Sequence, residues 1–112
     1  MSRPHLNRML VLEAPQRAND GAGGNTEVWQ PLGTLWAEVR AHTGREAVKG
    51  GLAISRTGFK ITVRAAPIGS VERPTAEQRF RDGTRTFVIR AVADHDVGGR
   101  YLTCFADEEI VV

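Results

Sequence analysis

Between Gly58 and Ala66 the chain reads GFKITVRAA, and this stretch limits the fold more than any other. Phe59, Ile61 and Val63 fall on one side of an extended chain. Lys60, Thr62 and Arg64 fall on the other. A period of two is a strand with one wet face; no helix repeats that way. The same spacing returns in RMLVLEA (Arg8–Ala14), in PLGTLWAEVRAH (Pro31–His42) and in the closing RYLTCFADEEIVV. TRTFVIRAV is strand-like too, with Phe87, Ile89 and Ala91 alternating with Val88, Arg90 and Val92. Apolar residues on both sides predict a central strand there. QRF and TRTFVIRAV flank RDG, and Asp-Gly between two such runs is the strongest hairpin signal in the chain. DHDVGG marks a second turn, and IGSVERPTAE is irregular.

Two segments read as loops. PQRANDGAGGNTE (Pro15–Glu27) carries turn residues throughout and is too long for a tight hairpin. Its GAGG is not followed by Gly-Lys-Ser/Thr or by a helical pattern. The glycines therefore point to positive-φ turns and not to a phosphate loop. TGREAVKGGLAIS (Thr43–Ser55) has no clear period; a mobile loop, or one helical turn closed by Gly50 or Gly51, suits it. The whole predicts an all-β fold in a single domain over residues 1–112. We expect a small antiparallel β-barrel of five to six strands with long loops and little helix.

Composition narrows the function classes. A hydrophobic fraction of 41% with 25% charged residues belongs to a globular chain and not a disordered one. No apolar run approaches a membrane span, and MSRPHLNRML lacks a signal-peptide core, so the protein is expected to be made in the cytoplasm with no membrane partner. Cys104, alone in YLTCFA, suits a small core hydrophobe. Trp29 and Trp36 are expected to cover core or an interface. His95 lies between Asp94 and Asp96, yet neighbours in a turn seldom converge on one point, and no second ligand sits at metal spacing. Asp107, Glu108 and Glu109 form a run and not a spaced acid–base pair. No catalytic residue, metal ligand or cofactor is assigned, and an enzyme is not expected.

Charge is uneven although the net is only +2. Residues 56–90 hold eight basic side chains against three acidic, a balance of +5. Residues 91–112 hold one against five, a balance of −4. Such blocks pair within one fold or between copies. Two classes survive: a free-standing barrel that binds single-stranded nucleic acid through residues such as Arg64, Arg79 and Arg90, and a part of a larger assembly.

The order of motifs resembles the phage head–tail joining family, the head-closure or stopper proteins of tailed-phage necks and of gene transfer agents. The likeness runs from about Leu6 to Glu109. It rests on LNRMLVLEAP, the glycine-rich stretch, Trp29, LGTLWAEVRA, ISRTGFKITVRAAP and QRFRDGTRTFVIRAVADHDVGGRYLTCFADEE. APIGSVERPTAEQ is longer than the compact family form. The resemblance implies a ring of identical subunits, a hexamer or else a dodecamer. Portal or adaptor protein would lie above it, and tail terminator or tail tube protein below. Packaged double-stranded DNA would be held without sequence preference in the channel, in the neck of a virion or phage-like particle. It implies a channel-facing loop carrying Arg45, Lys49 and Arg56. Subunit or partner contacts would involve Trp29, Lys60, Arg64, Arg90, Asp107, Glu108 and Glu109. The charge blocks are then expected to meet across subunits.

Overall fold

Alternation of apolar and polar residues builds six strands and no helix among the described residues. The structure, a computed structural model, describes residues 3–49 and 52–109, and between 43 and 57 it describes the backbone alone. The strands are β1 (Arg8–Asn19), β2 (Asn25–Lys49), β3 (Leu52–Arg64), β4 (Arg79–Asp82), β5 (Arg85–Asp94) and β6 (Tyr101–Glu109). All pairings are antiparallel, in the order β1-β2-β3-β6-β5-β4. β4 returns to β1 through Val11, Leu12 and Glu13, which closes the sheet into a barrel. The expected all-β architecture holds.

Inward-facing residues fill the barrel. Leu10 and Leu12 come from β1, Ile61 and Val63 from β3, Phe80 from β4, Phe87 and Ile89 from β5, and Leu102, Cys104 and Ala106 from β6. The Phe59 ring lies edge-on to Phe87, with centroids 5.0 Å apart. Cys104 is a core hydrophobe as expected, fully buried, and burial pushes its thiol up to about 12.

The two expected loops are mostly strand. β1 and β2 stay paired to Asn19↔Asn25, so only residues 20–24 turn. Pro15 fits because β4 covers β1 only as far as Glu13; beyond it β1 is an edge that needs no further donor. Asp20 closes the turn by accepting from the backbone N–H of Ala22 at 2.8 Å and of Gly24 at 3.0 Å. Gly21 and Gly23 take φ of 80° and 83°, the turn role expected of GAGG. The stretch from Thr43 is neither a helical turn nor a loop. β2 and β3 remain paired from Gly44↔Thr57 to Lys49↔Leu52, a two-stranded arm beyond the barrel wall. Its period was illegible because the register shifts between Ala41 and Gly44 and because neither face of an arm must be apolar.

β2 is the spine of the molecule. It pairs with β1 up to Ala37 and with β3 from Ala37 onward, so it crosses the wall obliquely. A straight strand of its 25 residues would run roughly 80 Å. The longest dimension of the molecule is 52 Å. The strand therefore bends, and its two register shifts are where a bend is cheapest.

β5 is corrected in detail. Its two-sided apolar pattern reflects a bulge between Ile89 and Ala91, which hands the inward role from Phe87 and Ile89 to Val92 and leaves Ala91 exposed. The RDG hairpin forms, with Asp82 paired to Arg85 and Gly83 at φ 61°. In DHDVGG, Asp96 accepts from the backbone N–H of Arg100 and of Tyr101.

Candidate functional site

The polar surface of the barrel is organised by carboxylates that each hold arginines. On the outer face of β1, Glu13 is 5% exposed. Its Oε1 accepts from Arg79 Nε at 2.8 Å and its Oε2 from Arg81 Nε at 3.0 Å. Burial alone pushes the Glu13 carboxyl up, but the hydrogen bonds and charges of both guanidinium groups outweigh it, so it stays below the ordinary carboxylate value. Arg79 also stacks on the Trp29 ring, 4.1 Å from its centroid. Each arginine spends only Nε–H on Glu13, and among the described residues the outer ends of both forks have no other ion-pair partner. Sequence reasoning assigned Trp29 to an interface and missed this cluster. The signals were present: arginines two apart in RFR share one face of a strand, and Glu13 is the only acid in RMLVLEA.

Two arginines of the basic middle pair with the acidic end within one chain. Arg85 forms a fork with Glu108, Nε to Oε2 at 2.8 Å and NH2 to Oε1 at 3.1 Å, and Arg90 Nε reaches Asp107 at 3.1 Å. Hydrogen bonding to Arg85 holds the Glu108 carboxyl below its ordinary value against a smaller opposing effect of burial. The Arg85 guanidinium also lies over Phe87, 4.9 Å from the ring centroid. β5 and β6 are adjacent antiparallel strands, so a basic strand beside an acidic one pairs locally.

The Lys60, Thr62 and Arg64 face of β3 is only partly wet. Lys60 and Arg64 are exposed, but Thr62 is 4% exposed, set between Glu38 on β2 and Thr103 on β6 in the register. Larger neighbours shield it, in a depression of about 300 Å³ rimmed by Glu38, Arg40, Lys60, His95 and Phe105. Lys60 Nζ sits 5.9 Å from the Phe105 centroid. His95 joins its Nδ1 to Thr103 Oγ1 at 2.9 Å, so its ring is tied to β6.

The structure thus brings Arg90 to Asp107 and sets Lys60 and Arg64 on one face. Trp29 lies apart, on the β1–β2–β4 side. Glu108 is engaged by Arg85, and Glu109 is exposed at the end of β6. Arg45, Lys49 and Arg56 lie on the β2–β3 arm, where the register sets Arg45 opposite Arg56; their side chains and the Gly50–Gly51 tip are outside the described residues. Among the described residues, no group of three or more His, Cys, Asp or Glu is placed to hold a metal.

A closed six-stranded barrel with arms extending from β2 matches a known family along nearly the whole chain. The family model of the phage head completion protein covers residues 1–109. The chain belongs to the phage head completion protein family. A solved structure agrees: a chain in the virion of a native gene transfer agent particle is 52% identical, covers 98% of this chain and 100% of its own length, and superposes with a TM-score of 0.81. No curated protein sequence matches. Membership in a head completion family makes the chain a structural part of a head–tail assembly.

Proposed function

We propose that this chain is the stopper subunit of a tailed-phage or gene-transfer-agent neck. Copies form a ring beneath the portal or adaptor, close the DNA channel after packaging and offer a platform to the tail terminator or tail tube. The virion context of its 52% identical relative supports this. The observation that carries it is the β2–β3 arm. The arm leaves the barrel wall as a paired ribbon, and its register sets Arg45 directly opposite Arg56, with Lys49 near the tip. Opposed like charges weaken a strand pair. An anion alongside reverses that penalty, and duplex DNA is a dense line of phosphates that Arg and Lys meet without sequence preference. Arms repeated around a ring multiply such weak contacts in one confined place. Lys60, Arg64 and Glu109, exposed on the barrel, suit contacts with neighbouring subunits or neck partners, and Trp29 with Arg79 suits a second contact side.

The test is to shorten the arm within its register. Replacing residues 48–53 by Asn-Gly closes the ribbon at Ala47↔Ile54 and leaves the barrel intact. Filled particles carrying the shortened arm should assemble and then lose DNA. Normal assembly with undiminished DNA retention would reject the channel role.

A further inference from the structure

At the end of the barrel where β3 finishes, a cleft of about 320 Å³ opens between Leu6, Trp36, Arg64, Ala65 and Ala66, with Glu72 also in its lining. Trp36 is 52% exposed there. Met9, its partner across the β1–β2 register, is 52% exposed as well. Large apolar side chains this bare, gathered beside a cleft, are uncommon on a surface meant to stay in water. Arg64 is exposed at the same place and makes no ion pair among the described residues. The cleft is therefore mostly apolar, with Arg64 and Glu72 both in its lining but not joined in an ion pair.

The opposite end of the barrel offers the complement. β6 ends in Glu109, exposed and without an ion pair among the described residues, and Ile110, Val111 and Val112 follow it. We infer that this cleft receives residues Ile110–Val112 of a second copy of the chain, with Glu109 of that copy set against Arg64. The inference rests on the self-assembly proposed above and names the contact that links one subunit to the next.

A chain cannot fill its own cleft. Arg64 pairs with Tyr101 at the start of β6, and β6 runs nine residues away from it to Glu109, roughly 26 Å at strand spacing. Residues 110–112 bridge about 11 Å at most. Donor and acceptor thus sit at different ends of every barrel, and the contact is head-to-tail. Such a contact repeats from copy to copy and closes as a ring when its rotation allows.

Cysteine trapping tests this on the full-length chain. Val111→Cys and Ala66→Cys are made separately, mixed and oxidised; Cys104 is buried and stays out of the reaction. Disulfide-linked pairs should form roughly tenfold more efficiently than in a mixture of Val111→Cys with Arg17→Cys, a position exposed on the β1–β2 arm, because docking raises the local thiol concentration. Adding Arg64→Glu to the Ala66→Cys chain should lower the yield. Equal yields at positions 66 and 17 overturn the docking, and so does a Val111→Cys/Ala66→Cys double variant that links within single chains. Sedimentation of the unaltered protein scores the ring separately. Rings without the 66–111 link leave assembly standing and overturn the docking; the link without closed rings keeps the docking and overturns the ring.

Discussion

Glu13 shows how one side chain can settle the surface around it. A carboxylate this buried is costly in water-free surroundings unless it is paired, and here two guanidinium groups hold it, one of them stacked on the Trp29 ring. Its folded pKa is lowered, so its contribution to stability is present above the ordinary value of 4.5 and is lost as pH falls through the folded value. Glu108, held by Arg85, acts in the same direction. Glu13→Gln should cost about 2 kcal/mol near neutral pH, the worth of hydrogen bonds to a charged group. Urea unfolding of both proteins between about pH 7 and about pH 3 checks this. The gap should close as the wild-type carboxyl protonates, and a gap independent of pH would refute the role given to the charge. Glu13 was legible in the sequence only as an acid out of place in an apolar strand. Its partners come from β4, whose residues lie 66 and 68 positions along the chain, and nothing local in RMLVLEA names them.

At the scale of elements, strand adjacency converts a charge pattern into contacts. β5 and β6 follow each other in sequence and lie side by side, so Arg85 meets Glu108 and Arg90 meets Asp107 inside the chain. Arg85→Glu and Glu108→Arg should each destabilise the monomer. The double swap should recover part of the loss, with a coupling of about 1 kcal/mol for a forked but half-exposed pair. Chemical denaturation of the four proteins at low and high salt measures it. Additive losses would mean the pair contributes nothing. The hairpin over RDG and the turn at DHDVGG were legible because their signals are local. The arms were not. Strand pairing beyond a core needs no apolar face, so alternation, which marks burial, fades along Pro15–Glu27 and after His42 although the hydrogen-bonded ladder continues.

For the whole molecule, closure of the sheet makes Cys104 a reporter. It is buried at the barrel centre with its thiol pushed up to about 12, so a thiol reagent should reach it only through global opening. Labelling in native buffer should be slower than that of the unfolded chain by orders of magnitude and should track urea unfolding. Fast native labelling would show that the barrel does not pack as described. The same closure explains what could be read in advance. Alternation is set by which side of an extended chain meets water, so the amino-acid sequence by itself determined that the fold is all-β, where most barrel-forming strands run and that Cys104 lies in the core. The ordered motifs carried the family as well. Only the tertiary structure decided which carboxylate holds which arginine, that Thr62 is covered, that β2 crosses from one neighbour to the other and that an apolar cleft lies at the end of β3 away from Glu109. Those facts depend on register and on where the barrel closes. Register is a relation between distant segments, fixed by their joint burial and not by the local pattern of either one.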